Sequence, residues 1–137
     1  MYNNLKSCVK VNNSFSEWFN INVGVRQGCT LSPILFSIFI NDLITYIKAN
    51  GIGINLTDAQ LVNIILFADD ILLLANTNAE MMRLLELVNH WMKLYKLEIN
   101  TLKSNIMIIG KSSPYDYVYE SVDGEILKRV TDYKYLG

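Results

Sequence analysis

Between Leu61 and Ala75 two apolar runs meet head to tail across a pair of carboxylates. Ile64, Ile65, Leu66, Phe67 and Ala68 precede Asp69 and Asp70, and Ile71, Leu72, Leu73, Leu74 and Ala75 follow them. Runs this short, rich in β-branched and aliphatic side chains and lacking a helical period, read as two buried strands joined by a tight turn. The turn then holds Asp69 and Asp70 side by side at the rim of a hydrophobic hairpin. Two like charges about 4 Å apart repel by roughly 1 kcal/mol in water, and by about 4 kcal/mol at an effective dielectric of 20. A hard divalent cation such as Mg²⁺, which takes carboxylate oxygens as ligands, offsets that repulsion. The plainer alternative is an ordinary polar hairpin tip, since Asp is a common turn residue. The pair alone does not separate the two.

Size limits what can surround this hairpin. A chain of 137 residues is one domain or a subdomain of something larger. With 51% apolar and 18% charged residues it has the means to bury a core and is not a disordered tail. That apolar share is somewhat high for a free-standing domain, which points to surface meant to be covered by a neighbour. Asp69 and Asp70 interrupt the longest apolar run well short of the roughly 18 uncharged residues of a membrane span. Met1 to Lys10 contains no apolar h-region of a secretory signal. Cys8 and Cys29 lack any Cys-x-x-Cys spacing and read as two reduced thiols. The expectation is an intracellular protein, cytoplasmic or nuclear, that is neither secreted nor membrane-bound. The net charge of −1 and sequence pI of about 5.8 count against a dedicated nucleic-acid-binding module. They leave room for a polymerase core whose basic surface lies on other parts of the protein.

Along the chain, Val9 to Val11 and Phe15 to Val23 read as two strands around an Asn12-Asn13-Ser14 turn. A loop with two glycines follows, Gly24-Val25-Arg26-Gln27-Gly28-Cys29-Thr30. Ser32 and Pro33 are placed as N-cap and first helical residue. The helix should run to about Lys48 or Ala49 and stop at Asn50-Gly51. Leu35, Phe39, Leu43 and Ile47 form its apolar stripe, widened by Ile34, Ile38 and Ile40, so the helix is expected to be buried against a sheet. Ile52 to Leu56 reads as a short strand and Thr57-Asp58-Ala59 as a loop. Beyond the carboxylate hairpin, Thr77 with Glu80 forms a capping box. The second helix should reach about Tyr95, with Met81, Leu84, Leu85, Val88, Trp91, Met92 and Tyr95 on one face. His90, the only histidine, has no second metal-ligating group near it in sequence and reads as structural or solvent-facing. Lys96 to Met107 is less regular and leads into an apolar strand, Ile106 to Ile109. Ser112-Ser113-Pro114 breaks the chain, and Val118 to Val122 and Glu125 to Val130 flank Asp123-Gly124, a strong hairpin signal. Tyr133-Lys134-Tyr135-Leu136-Gly137 is apolar and strand-like. The order predicts an α+β fold, an antiparallel sheet with helices packed on one face.

This order of motifs resembles the palm of reverse transcriptases, in particular the non-LTR (LINE-type) retrotransposon branch. Gly24 to Pro33, continuing through Ile34-Leu35-Phe36 to Asn41-Asp42-Leu43, is similar nearly residue for residue to that branch's glycine loop and helix. Phe67-Ala68-Asp69-Asp70 resembles the family's aromatic-x-Asp-Asp box. Leu97 to Lys103 with Met107 resembles the next motif, and Tyr133 to Gly137 the primer-grip hairpin after it. The resemblance covers about residues 8 to 137, and four motifs in the correct order carry it where any one would be weak.

What the resemblance implies is RNA-directed DNA synthesis. A primer 3′-hydroxyl attacks the α-phosphorus of a deoxynucleotide, assisted by two metal ions roughly 3.5–4 Å apart. The ions would be Mg²⁺, with Mn²⁺ as a substitute, held by Asp69 directly and by Asp70 in support. Lys103 would give a proton or positive charge to the leaving pyrophosphate. Gly28 would let backbone approach the nascent base pair, and Gln27 and Arg26 would contact template or nucleotide. Phe67 would pack beneath the primer end, while Tyr133, Tyr135 and Gly137 would form the primer grip. The partners implied are an RNA template, a DNA primer and deoxynucleoside triphosphates, with no membrane. One departure stands out: the family's earlier palm strand with a further metal-binding aspartate has no counterpart, because Met1 to Lys10 contains no Asp. The expectation is a partial palm over residues 1–137, with the first catalytic strand, the fingers and the thumb of the same polyprotein missing. The alternative is a non-catalytic retroelement remnant, inert or acting only as a binding fragment. A metal-dependent hydrolase built on the same hairpin would need further ligands that neither His nor Cys is positioned to supply.

Overall fold

The computed structural model describes residues 5–22, 24–57, 60–110 and 123–135. The chain divides into two compact units, Met1–Asn41 and Asp42–Gly137.

In the first unit Asn12 has φ 51°, a conformation Asn tolerates, and the Asn12-Asn13 pair turns the chain between β2 (Lys10–Val11) and β3 (Ser14–Phe15). Farther from the turn, β1 (Leu5–Ser7) pairs antiparallel with β4 (Phe19–Ile21), Leu5 opposite Ile21. The hairpin expected from the sequence is therefore present, but its second strand is broken at Ser16. The Ser16 hydroxyl accepts the Val9 N–H at 2.9 Å and donates to the Glu17 carbonyl at 3.0 Å, while the Ser16 N–H donates to the Val9 carbonyl at 2.9 Å. Val23 lies outside the described residues.

Helix α1 (Ser32–Lys48) has the expected limits. It ends where Asn50 and Gly51 donate their N–H groups to Ile47 and Lys48 carbonyls and Gly51 takes φ 66°. The expectation of a helix buried along most of its surface fails for its first half. Ile40, Leu43 and Ile47 are buried, whereas Leu31, Ile34, Leu35 and Ile38 are exposed. An apolar stripe records what a residue can bury, and the fully buried apolar residues of α1 all lie in its second half.

In the second unit β5 (Ile54–Thr57) pairs antiparallel with β6 (Gln60–Val62). The sequence places a strand near Ile52–Leu56 but misses β6, because polar Gln60 and Asn63 bracket only two apolar residues. Then come β7 (Ile64–Phe67) and β8 (Asp70–Leu73), antiparallel to each other, and α2 (Asn78–Leu94). Thr77 is the N-cap of α2, and its hydroxyl oxygen accepts the Glu80 N–H at 3.2 Å. The Glu80 carboxylate returns a bond to the Asn76 N–H at 2.9 Å, one residue earlier than a standard capping box. Thr77→Ala is expected to destabilise this unit by about 1 kcal/mol, read from the urea midpoint at unchanged slope. The buried face of α2 carries Leu84, Leu87, Val88, Asn89, Trp91 and Met92. Tyr95 is exposed, with its ring 4.3 Å from that of buried Trp91, and His90 faces solvent.

The last described pair corrects the expected topology. β9 (Asn105–Met107) pairs with β10 (Lys128–Val130) in parallel, Asn105 opposite Lys128. The Asp-Gly signal implies an antiparallel neighbour, Val118 to Val122, which lies outside the described residues, as do Ser112 to Pro114. Ile106 and Leu127 are buried here, packed by Met81, Met82 and Leu85 of α2 and by Ile108. The described residues thus form a mixed α+β structure of two helices and five two-stranded pieces, four antiparallel and one parallel.

Candidate functional site

The carboxylate hairpin forms, with its turn one residue earlier than the sequence suggests. Ile64 pairs with Leu73, Ile65 with Leu72, Leu66 with Ile71 and Phe67 with Asp70. The two central turn residues are therefore Ala68 and Asp69, and Asp70 opens β8. Because side chains alternate along a strand, Phe67, Asp70, Ile65 and Leu72 share one face. Phe67, Ile65 and Asp70 are exposed on that face, while Ile64 on the opposite face is buried. Asp69 is exposed at the tip, so the two carboxylates and the aromatic ring occupy one end of one hairpin.

Ala68 holds φ 52°, where a Cβ meets the following carbonyl at a cost of roughly 1–2 kcal/mol. Glycine is the usual residue at such a hairpin position. Ala68→Gly is expected to relieve the strain against a smaller gain in unfolded-chain entropy, raising stability by about 0.5 kcal/mol in chemical denaturation.

The base of the hairpin is held by buried polar contacts that sequence reasoning missed. Asn63, only 1% exposed, precedes β7. Its side-chain Nδ2 donates to the Ile47 carbonyl in the last turn of α1 at 3.3 Å, and its own carbonyl accepts the Leu74 N–H at 2.9 Å. Its Oδ1 is buried without a hydrogen-bond partner among the described residues. Asn76, past the other strand, donates its Nδ2 to the Gly53 carbonyl at 2.7 Å. A Cβ on Gly53 would lie 2.7 Å from the Val62 carbonyl oxygen and 2.8 Å from Asn63 Cβ, so only glycine fits this crossing. The available signal was a polar residue interrupting the run Leu61-Val62-Asn63-Ile64.

The remaining expected site residues lie on other elements. Arg26, Gln27 and Gly28 share an exposed turn of the first unit, with Gly28 at φ 79°. The Arg26 carbonyl closes that turn, accepting the Cys29 N–H at 3.3 Å and the Ser32 hydroxyl at 2.6 Å. In the second unit Lys103 is exposed on a turn that Asn100 organises, accepting the Lys103 N–H with its side-chain oxygen at 3.2 Å and its carbonyl at 3.1 Å. Thr101 in the same turn donates to the Glu125 carboxylate. Tyr133 is exposed and Tyr135 half-buried, and neither lies in a strand, contrary to expectation. The Tyr135 hydroxyl is buried with no hydrogen-bond partner among the described residues, and Gly137 lies outside them. Only Phe67, Asp69 and Asp70 are gathered on one element with carboxylate chemistry. Two carboxylates suit a hard divalent ion in donor type. In number they supply part of a ligand set, since no cluster of three or more His, Cys, Asp or Glu that could hold a metal occurs among the described residues. No helix among them is long and apolar enough to cross a membrane.

Comparison with known proteins identifies the family. The family model described as reverse transcriptase (RNA-dependent DNA polymerase) matches residues 2–137. The chain is 30% identical over 124 residues to the retrovirus-related Pol polyprotein from type-1 retrotransposable element R2 of Popillia japonica, covering 85% of this chain and 20% of that protein. It is 33% identical over 130 residues to the Pol polyprotein from type-2 retrotransposable element R2DM of Drosophila melanogaster, covering 89% of this chain and 12% of the relative. It is 27% identical over 124 residues to the RNA-directed DNA polymerase from mobile element jockey, also of Drosophila melanogaster, covering 85% and 13%. The chain thus spans a fifth or less of the length of these relatives. On a match that runs through the glycine turn, α1 and the carboxylate hairpin alike, the chain belongs to the reverse transcriptase family, on its non-LTR retrotransposon branch.

Proposed function

We propose that these residues are part of the palm of an RNA-directed DNA polymerase, in which Asp69 and Asp70 hold the catalytic divalent ions. The observation that carries this reading is the strained two-residue turn that sets both carboxylates and Phe67 at one exposed hairpin end. Strained backbone of this kind clusters at functional sites. In the proposed enzyme the chain joins fingers and thumb from the rest of the same polyprotein, and works inside the cell on an RNA template, a DNA primer and deoxynucleoside triphosphates. The two helices and the sheet pieces are elements of that palm, four of the pieces antiparallel and the β9–β10 piece parallel.

Bound Mg²⁺, or Mn²⁺ in its place, would activate the attacking 3′-hydroxyl and stabilise the leaving pyrophosphate. The protein's own contribution is to position and neutralise. Asp69 at the tip supplies the direct ligand and Asp70 beside it the supporting one. Phe67, sharing a face with Asp70, offers an apolar platform for the primer end. Lys103 provides positive charge for the pyrophosphate. Arg26 and Gln27 contact template or nucleotide, Gly28 admits the base pair closely, and Tyr133, Tyr135 and Gly137 grip the primer.

The second reading, a non-catalytic remnant, draws on the net charge of −1, unusual for a nucleic-acid-binding surface. One assay separates them: metal-dependent deoxynucleotide incorporation onto a DNA primer paired with RNA, using the full-length protein that carries these residues. Incorporation that depends on Asp69 supports the polymerase. Its absence at saturating metal and nucleotide leaves the remnant.

A further inference from the structure

We infer that Asn63 is a positioning residue for the Asp69-Asp70 hairpin, tying its base to the last turn of α1. The inference deepens the polymerase reading and rests on it for its consequence in catalysis. Asn63 sits one step beyond the Ile64–Leu73 pair, and its carbonyl accepts the Leu74 N–H, so it forms the first rung of the hairpin's base. The same residue donates its Nδ2 to the Ile47 carbonyl, which also accepts the Asn50 N–H where the helix ends. One side chain therefore fixes the hairpin to a helix terminus sixteen residues earlier in the chain.

The second strand is anchored to the same connection. Asn76 donates to the Gly53 carbonyl, and the absence of a side chain on Gly53 lets this backbone pass against Val62 and Asn63. Both ends of the carboxylate hairpin are thus held by amide side chains against the segment from Ile47 to Gly53.

Packing alone does not account for Asn63. The residue is buried, its Oδ1 finds no partner among the described residues, and an apolar side chain of the same branched shape would fill the space without desolvating an amide. A buried amide bonded across two elements fixes their alignment at the cost of desolvating a polar group. Here it aligns the strand that ends in Phe67, Ala68 and Asp69. Metal-assisted phosphoryl transfer is sensitive to misplacement of its ligands by about 1 Å, which costs on the order of a hundredfold in rate.

The test compares Asn63→Leu and Asn63→Ser in the full-length protein with the wild type, with Asp69→Asn as a reference. Asn63→Leu keeps the branched shape with bulkier methyl ends and removes both the bond and the amide oxygen. Asn63→Ser covers the case in which the leucine does not fit. The expected result is a melting temperature for Asn63→Leu at or above that of the wild type. Amide hydrogen exchange at residues 68–71 should be about tenfold faster in either variant. Primer-extension kcat should fall by about tenfold to a hundredfold with the deoxynucleotide KM little changed. A purely structural role would lower the melting temperature and leave the kcat of the folded fraction intact. A folded variant with wild-type exchange at the tip and wild-type kcat would overturn the inference. Failure of the polymerase reading looks different: the wild type then incorporates nothing, or Asp69→Asn incorporates as well as the wild type. Exchange at the tip still decides in that case whether Asn63 holds the hairpin.

Discussion

Asp69→Asn in the full-length protein is expected to lower primer extension by roughly a thousandfold, about 4 kcal/mol of transition-state stabilisation. Asp70→Asn should follow it, and the double Asn variant should show no incorporation. The size of the effect comes from the reaction, in which charge builds on the attacking and leaving oxygens and must be met by ions that an amide holds poorly. Folding should be spared. Both carboxylates are exposed, one in a turn and one opening a strand, and removing one like charge from an adjacent pair relieves repulsion. Circular dichroism and urea denaturation should place the variants at or slightly above wild-type stability. A variant as stable as the wild type and as active would remove Asp69 from the chemistry.

The largest structural effect is expected in helix α2. Leu84→Ala should lower the unfolding free energy by about 2–5 kcal/mol, a large share of the 5–15 kcal/mol typical of a domain. Leu84 is 0% exposed on the face of α2 that also carries Leu87, Val88 and Trp91, where a deleted isopropyl group leaves a cavity its neighbours only partly fill. The measurement is the urea transition, followed by tryptophan fluorescence from buried Trp91. A shift of less than 1 kcal/mol would mean that this face of α2 is looser than its burial indicates.

Both helices were legible in the sequence because their ends carry chemistry that acts locally. Ser32-Pro33, Asn50-Gly51 and Thr77 with Glu80 fix limits within a residue or two whatever the rest of the chain does. The carboxylate hairpin was legible in kind but not in register. Five apolar residues stand on each side of Asp69-Asp70, so the pattern is symmetric about the pair. The bend at Ala68 is decided instead by positive φ at an alanine, which no propensity favours. Burial in the first half of α1 was misjudged, since Leu31 to Ile38 have the apolar pattern of a covered face. The parallel pairing of β9 with β10 was hidden behind a hairpin signal that speaks only of sequence neighbours. Of the candidate site, the aromatic and the two carboxylates were visible, whereas Asn63, Asn76 and Gly53 were not. Their roles arise from chain crossings that no short window contains.

The parallel pair also sets an order of events in folding. The β7–β8 strands close across two residues, whereas β9 and β10 are separated by roughly 20, and closing that span costs about 2.7 kcal/mol in chain entropy. Hairpins form in microseconds, ahead of contacts that must wait for a long closure. Met81, Met82 and Leu85 pack on Ile106 and Leu127, so one side of α2 stays uncovered until β10 docks. During refolding or synthesis this methionine-bearing side is expected to be an adhesive surface of the unfinished chain, so that refolding yield should rise on dilution.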